Sequence, residues 1–289
     1  MADTTFPQPP SHQPSGAAGT FPWRDRVIAP RSWQVLDFIS DLHLHVQDPA
    51  TFATWRAYLA NTTADAVFIL GDLFDVWVGD DVLATGTDGA GGADAFVRSC
   101  ADVLRQSGAR RSQFFLCGNR DFLVGERMLA QSAMQGLADP CVLEFAGQHW
   151  LLSHGDALCL EDTDYQQFRT MVRASRWQAE FLAQPLARRQ QIAQQLRAQS
   201  EQHKQAHPLP STVDTAMALQ WLDAADAMTL IHGHTHQPAD HALANGRSRV
   251  VLSDWDLQAH PARAQVLRLQ AHADGSPATV RRLTPAQAC

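Results

Sequence analysis

The sequence has few cysteines and none in a paired motif, which argues against a disulfide framework or a structural zinc site. Its five cysteines are scattered, and no two form a Cys-x-x-Cys pair. This usage favours a reducing compartment, so we expect a cytoplasmic protein. No run of about 18 apolar residues is present, so no helix is predicted to cross a bilayer.

The chain also lacks an excess of basic charge. Its 23 Lys and Arg residues face 30 Asp and Glu residues, for a net charge of -7, which argues against a general nucleic-acid binder. Hydrophobic residues make up 45% and charged residues 18% of the 289 positions, a balance typical of a soluble, well-packed enzyme. We expect a monomer without a nucleic-acid partner.

Residues 1–32 are rich in Pro, Ser, Gly and Ala and lack the apolar segment of a signal peptide. We predict a disordered extension there and one domain over residues 33–289. Short apolar runs alternate with helical stretches in this domain, a pattern typical of an α/β or α+β layered fold. The predicted helices include 49–60 and 93–107, and the predicted strands are 35–40, 66–70, 113–116, 150–153, 228–231 and 249–252.

The stretch 162–220 differs from its surroundings, because it has almost no strand signal and its Gln, Arg and Ala content favours helix. We predict a helical insertion between two core strands. Two interpretations remain open at this point: the helices only pack on the core, or they form a lid that also contacts a substrate.

Five segments share one design, in which an apolar run ends in a short group of Asp, Asn or His. They are FISDLHLH, FILGDLFD, FFLCGNRDF, LLSHGD and LIHGHTH. Taken singly, each has an ordinary explanation, such as a turn-capping Asp or a structural His. Ligand sites gather outside the carboxyl ends of strands, so five such ends are predicted to converge on one pocket.

These segments offer seven side chains that bind metals: Asp41, His43, Asp72, Asn119, His154, His234 and His236. A mixed oxygen and nitrogen set without thiolate suits manganese and iron, with zinc possible. Seven ligands fit two ions that share one carboxylate, and such pairs clamp displacement reactions at phosphorus. If extended geometry continues past the strand, the i, i+2 spacing places Asp41 and His43 on one side.

The order Asp-x-His, Gly-Asp, Gly-Asn, His and Gly-His-x-His resembles that of the calcineurin-like metallophosphoesterases. The resemblance implies a sandwich of two mixed β-sheets flanked by helices, and it implies two metal ions, which we expect to be Mn²⁺. It assigns Asp41, His43, Asp72 and His236 to one ion. It assigns Asp72, Asn119, His154 and His234 to the other, with Asp72 bridging.

The third block departs from many members of this superfamily, which have histidine where this chain has Arg120. Arginine does not supply a proton at working pH, but its planar fork binds phosphate. A pyrophosphate expels a phosphate that needs no protonation, so Arg120 favours a phosphoanhydride substrate. The alternative is that Arg120 only pairs with Asp121.

The longer strings GDLFDVWVGDD, GNRDFLVG and HGDALCLEDTDYQQFR resemble the family of UDP-2,3-diacylglucosamine pyrophosphatases of lipid A synthesis. That resemblance implies hydrolysis to UMP and 2,3-diacylglucosamine 1-phosphate under a helical lid, with catalytic roles for Asn119, Arg120 and His234. The substrate contacts it implies are Asn119, Arg120, Asp162, Arg169, Arg197, Ser200 and His234. Lys204 and His207 are further candidates at positions where the family pattern differs.

The insertion combines apolar side chains with arginines, and we predict from this that it rests peripherally on the cytoplasmic face of an anionic inner membrane. The arginines are Arg169, Arg173, Arg176, Arg188, Arg189 and Arg197. Two other functions stay open: a soluble metallophosphoesterase acting on another nucleotide or a phosphoprotein, and a non-catalytic scaffold.

Overall fold

The computed structural model of the chain describes residues 25–84, 93–206 and 212–289. Within these ranges the strands are β1 Asp25–Ile28, β2 Val35–Ile39, β3 Ala66–Leu70, β4 Ser112–Leu116, β5 Gln135–Leu137, β6 Cys141–Phe145, β7 Gln148–Ser153, β8 Thr229–His232, β9 Ala239–Ala242, β10 Ser248–Val251, β11 Val266–Gln270 and β12 Thr279–Leu283. The helices are α1 Pro49–Asn61, α2 Ala93–Gly108, α3 Glu126–Gln131, α4 Thr163–Arg173, α5 Ser175–Leu182, α6 Leu186–Ala206 and α7 Thr215–Ala224.

The strands form two six-stranded mixed sheets. One has the order β1-β6-β7-β8-β10-β9 and the other the order β12-β11-β2-β3-β4-β5. In the first sheet β7, β8 and β10 are parallel neighbours, and in the second β2, β3, β4 and β5 are parallel. The predicted sandwich of two mixed sheets flanked by helices is confirmed.

The core between the sheets explains why the central strands are so apolar. Phe38, Phe68 and Phe114 stack across β2, β3 and β4, with ring centroids 5.0 and 4.6 Å apart. Trp150 and Leu152 of the first sheet belong to the same buried cluster. Every residue of β3 is buried, as is expected for a parallel strand covered on both faces.

The outer faces of the sheets are covered by helices. Trp55 and Leu59 of α1 and Leu104 of α2 join a second buried cluster on the outside of the β2–β5 sheet. The α1 helix begins as the sequence predicts, because Asp48 accepts a hydrogen bond from the Thr51 N–H at 3.1 Å and Pro49 follows the cap. No helix in these described ranges combines the length and the apolar character needed to cross a membrane.

The six predicted strands are all present, with ends that differ by at most two residues from the prediction. The other six strands were not predicted. One of them corrects the predicted disorder of residues 1–32, because Asp25–Ile28 pairs in parallel with β6 over Cys141 to Glu144. This pairing joins residues far apart in sequence, so local composition does not reveal it. Residues 1–24 of the predicted extension lie outside the described part of the chain.

Helices α4 to α7 lie between β7 and β8, in the stretch for which we predicted an insertion. Their apolar residues divide into three groups. Ile192 is buried in the core. Phe181 is buried in the same core and also lines a cavity, and Trp177 and Leu196 pack against the core and line that cavity. Leu182 is exposed. A lid role for these helices stays a prediction.

Candidate metal centre

Five parallel strand ends, three from one sheet and two from the other, bring polar residues to one edge of the sandwich. Asp41, Asp72 and Asn119 follow β2, β3 and β4 in one sheet. His154 and the pair His234 and His236 follow β7 and β8 in the other. The seven side chains predicted to bind metal therefore meet at the predicted place.

The backbone turns sharply where most of these side chains leave their strands. Five of the seven positions have a positive φ, which non-glycine residues rarely adopt. They are Asp41, His43, Asp72, His234 and His236, with φ values of 54°, 46°, 53°, 68° and 53°. The expectation that extended geometry aligns Asp41 with His43 is wrong, since β2 ends at Ile39 and two left-handed residues direct these side chains.

A first group joins Asp41, His43 and His236, whose donor atoms all lie within 4.8 Å of one another. The Nε2 atoms of His43 and His236 are 3.3 Å apart, and His236 Nε2 lies 3.4 Å from Asp41 Oδ1. Asp41 is fully buried and accepts hydrogen bonds from the Ser40 hydroxyl and the His234 N–H. The first group contains three of the four ligands that the resemblance assigns to one ion.

A second group surrounds His154 and Asn119. Asn119 Oδ1 lies 3.0 Å from His154 Nε2 and 2.9 Å from His234 Nδ1. The donor atoms of Asp41, Asp72 and His154 also lie within 4.8 Å of one another. Asp72 reaches both groups, because its Oδ2 is 3.9 Å from His43 Nδ1 and its Oδ1 is 3.7 Å from His154 Nε2.

The chemistry of this donor set fits divalent cations. Among the described residues, the buried carboxylates of Asp41 and Asp72 have ion pairs with histidines and none with Lys or Arg. The Nδ1 atom of His43 is buried without a hydrogen-bond partner. Two imidazole nitrogens facing each other at 3.3 Å also need a proton or a cation between them. Oxygen and nitrogen donors in this mixture suit manganese, iron or zinc.

The shifted pKa values of Asp72 and His154 also indicate that the site needs positive charge. Burial raises the pKa of Asp72 to about 7, an effect that His154 opposes and that Asp121 and Asp41 reinforce. Burial would lower the pKa of His154, but the carboxylates of Asp72 and Asp41 outweigh it and raise this pKa to about 9. Bound cations reverse this balance, because they favour ionised carboxylates and neutral imidazoles.

Asp121, which the sequence analysis considered only as a partner for Arg120, is a support for the metal-site loops. It is fully buried and accepts hydrogen bonds from the N–H groups of Leu73 at 2.7 Å and Gly118 at 2.8 Å. Gly118 is needed because a Cβ there would overlap the Asp72 carboxylate and backbone nitrogen. No ion pair joins Arg120 to Asp121 in the described part of the chain, so the alternative interpretation of Arg120 loses its basis.

A cavity of about 470 Å³ opens beside the centre. Its polar lining includes Asn119, Arg120 and His234 at the centre and Asp162, Asp164 and Arg197 of the insertion. Its apolar lining includes the segment 76–78 and the insertion side chains Phe168, Trp177, Phe181 and Leu196. The cavity therefore suits a molecule with a charged part and an apolar part.

The other predicted substrate contacts fall in different places. Asp162 and Arg197 line the cavity, where Asp162 caps α4 by accepting from the Tyr165 N–H and Arg197 pairs with Asp75. Arg169 is not among the lining residues and donates to Asp156 at 2.8 Å. The side chains of Ser200 and Lys204, and all of His207, lie outside the described residues.

A set of contacts that was not predicted from sequence connects α4 to the metal-site loops. Tyr165 and Arg169 both donate to the buried carboxylate of Asp156, at 2.6 and 2.8 Å. Arg173 donates to the Gly118 carbonyl oxygen at 2.9 Å, and the Tyr165 ring stacks near His234. Asp156 stands in the HGD string, so its position after a predicted strand was an available signal.

The chain is similar in sequence to known proteins over most of its length. The family model for calcineurin-like phosphoesterase matches residues 35–238. A UDP-2,3-diacylglucosamine hydrolase of Chromobacterium violaceum is 44% identical over 76% of this chain and 90% of the relative. One from Aromatoleum aromaticum is 44% identical over 75% of this chain and 88% of the relative. A solved structure of a predicted phosphoesterase from Streptococcus pneumoniae covers 89% of this chain and 93% of its own, with 12% identity and a TM-score of 0.41.

Proposed function

The chain belongs to the calcineurin-like phosphoesterase family, and from this premise we propose that it hydrolyses the pyrophosphate bond of UDP-2,3-diacylglucosamine. Water is added across the phosphoanhydride, and the products are UMP and 2,3-diacylglucosamine 1-phosphate. The relatives that match most of the chain at 44% identity carry the name of this hydrolase. We propose Mn²⁺ for the two divalent ions that the family implies.

The observation that carries the proposal is the mixed lining of the cavity. Asn119, Arg120 and His234 line it beside the candidate metal centre, and apolar side chains of the insertion line it as well. A nucleotide or a phosphoprotein needs no apolar chamber of this kind. A diacylated sugar nucleotide has both parts, so it is the better match in shape and polarity.

The catalytic roles follow from what each side chain is able to do at this edge. When bound, the two ions acidify a water and offset negative charge on phosphorus-bound oxygens. Asn119, through its amide, and Arg120, through its guanidinium, donate to the phosphate oxygens and orient the α-phosphorus. His234 contacts the reacting phosphate from the neighbouring strand end. Asp162, Arg197, Ser200, Lys204, His207 and Arg169 are proposed to hold or support the sugar, the nucleotide or the lid.

Replacement of Arg120 by glutamine is expected to lower kcat about 10²- to 10³-fold with a smaller change in KM. The lost donors act on charge that develops in the transition state, and loss of one such donor has an effect of this size. The rate of UMP release under saturating Mn²⁺, measured over a range of substrate concentrations, gives kcat and KM. Arg127→Gln is the matched control, because Arg127 lies exposed on the nearby α3. A kcat within threefold of wild type in Arg120→Gln would contradict the role.

The acyl chains are expected to dominate recognition. Each buried CH₂ contributes about 0.8 kcal/mol, so five buried groups correspond to about 4 kcal/mol, or about 10³-fold in kcat/KM. UDP-glucosamine without acyl chains should therefore be hydrolysed at least about 10³-fold less efficiently than the diacylated substrate. Equal efficiencies would favour a soluble phosphoesterase of another substrate class.

A variant separates this effect from a general loss of activity. Phe181→Ala shortens an apolar side chain that lines the cavity, and it should reduce kcat/KM only for the acylated substrate. Leu182→Ala is the control on the same helix, because Leu182 is exposed and does not line the cavity. Parallel losses on both substrates would indicate a folding defect rather than a chain-binding role.

We propose in addition that the insertion contacts anionic membrane lipids from the cytoplasmic side. Fewer arginines support this than the sequence suggests, since Arg189 is buried against Asp81 and Val78, and Arg169 and Arg173 face inward. Arg176 and Arg188 remain exposed.

Wild-type protein should sediment with anionic vesicles at low salt and dissociate as salt rises. The double variant Arg176→Ser, Arg188→Ser should bind about 30-fold more weakly, at about 1 kcal/mol per arginine. Arg105→Ser is the control, because Arg105 is exposed on α2 and pairs with Asp102 much as Arg176 pairs with Glu180. Failure of wild-type protein to sediment would exclude this contact. Sedimentation velocity on the same samples checks the expected monomer.

A further inference from the structure

Asp254 lies beside the candidate metal centre although it belongs to none of the five sequence blocks. It follows β10, whose parallel neighbour β8 leads to His234 and His236. Its side chain is almost fully buried. The next residue, Trp255, donates its N–H to the Asp41 carbonyl oxygen at 3.0 Å. Asp254 is therefore anchored to the backbone of a predicted ligand.

The carboxylate of Asp254 faces the side of the His236 ring that points away from the other ligands. Its Oδ2 lies 3.7 Å from His236 Nδ1. The opposite ring nitrogen, Nε2, faces Asp41 Oδ1 at 3.4 Å and His43 Nε2 at 3.3 Å. The two nitrogens of His236 thus have different surroundings, a negative charge at Nδ1 and metal-binding atoms at Nε2.

Arg263 fixes the orientation of this carboxylate. Its Nε lies 2.9 and 3.0 Å from the two Asp254 oxygens, and its Nη2 donates to Oδ2 at 2.7 Å. Arg263 is held in turn by two backbone hydrogen bonds with Asp256, at 2.8 and 2.9 Å. A forked contact of this kind fixes the position of the Asp254 carboxylate and limits its rotation.

We propose that Asp254, held by Arg263, is a positioning residue for His236. It keeps the proton of the imidazole on Nδ1, so that the Nε2 lone pair is free for an ion that Asp41, His43 and His236 would hold together. Histidines that bind metals usually donate their other N–H to such a carboxylate, and loss of that partner typically lowers metal affinity 10- to 100-fold. The inference rests on the proposed function, because it assumes that ions occupy the centre.

The test measures Mn²⁺ binding to the full-length chain by equilibrium dialysis with metal analysis. In Asp254→Asn one of two sites should weaken 10- to 100-fold, while the other changes less than about threefold. Arg263→Gln should weaken the same site by a smaller factor. Asp256→Asn is the matched control, since Asp256 contacts Arg263 at 3.2 Å through its side chain and has no described contact with His236. Unchanged affinity at both sites in Asp254→Asn would overturn the proposal.

A second measurement excludes a merely structural role. Long-range ¹H–¹⁵N spectra of the metal-free chain report which nitrogen of His236 carries the proton. The Nδ1–H form should predominate in wild type and should lose population in Asp254→Asn but not in Asp256→Asn. An unchanged tautomer together with lower thermal stability would assign Asp254 to folding alone. If wild-type protein binds two ions but releases no UMP, the proposed function is contradicted and the inference about Asp254 is unaffected.

Discussion

The Asp72→Ala variant is expected to hydrolyse UDP-2,3-diacylglucosamine at least about 10⁴-fold more slowly than wild type. Asp72 presents one oxygen toward His43 and the other toward His154, so it reaches both groups of the centre. If Asp72 bridges two ions, as the family resemblance implies, its loss should weaken the binding of both. Metal ions supply several kcal/mol of transition-state stabilisation, and about 5.5 kcal/mol corresponds to 10⁴-fold.

UMP release at saturating substrate measures the effect, and metal analysis should show fewer than two ions bound to each chain of the variant. Asp102→Ala provides the control for loss of a carboxylate, because Asp102 is exposed on α2 and, among the described residues, pairs with Arg105 alone. Raising Mn²⁺ should not restore the wild-type rate to Asp72→Ala. A variant that keeps a tenth of the wild-type activity would contradict a bridging role.

The Arg268→Met variant is expected to lower the free energy of unfolding by about 3–5 kcal/mol. Arg268 donates to the two oxygens of the fully buried Asp37 at 2.7 and 2.9 Å, and also to the Ala288 carbonyl oxygen at 2.6 Å. Tyr58 and Thr62 add hydrogen bonds to the same carboxylate. Removal of Arg268 alone leaves a buried charge without its counter-ion, which is the costly case.

Urea unfolding in the presence of EDTA measures this difference without a contribution from bound ions. Arg282→Met is the control on neighbouring β12, because its pair with Asp240 is partly exposed and should contribute at most about 1 kcal/mol. The double variant Asp37→Leu, Arg268→Met should recover much of the loss, since apolar replacement of a whole buried pair is often neutral. Equal unfolding free energies for Arg268→Met and Arg282→Met would show that this pair contributes no more than a surface pair.

The location of the centre could be predicted from sequence because each strand signal is local. An apolar run such as that of β3 ends directly before Gly71 and Asp72, and parallel strands place such ends together. The left-handed backbone at Asp72 and His236 could not be predicted, because only a small fraction of Asp and His residues adopt it and residue type alone does not identify them.

The other features of the fold and the site could not be predicted, because they depend on contacts between residues that are distant in sequence. Strand β1 pairs with residues more than a hundred positions away, and Arg169 meets Asp156 instead of the cavity. Asp254 follows a strand that was predicted, yet its importance depends on His236 and Arg263, which a single sequence does not link to it. Side-chain partners set by tertiary packing are the part of the site that residue order leaves undetermined.

The positive φ angles at five candidate ligands also bear on how far this protein could be stabilised. A left-handed non-glycine residue costs about 1–3 kcal/mol, so the five together oppose folding of the metal-free chain by several kcal/mol. Glycine at any of these positions relieves its share of that cost and removes a ligand. Stability and activity therefore oppose each other at these positions. A substitution there that stabilises the metal-free protein also removes a candidate metal ligand and should lower activity.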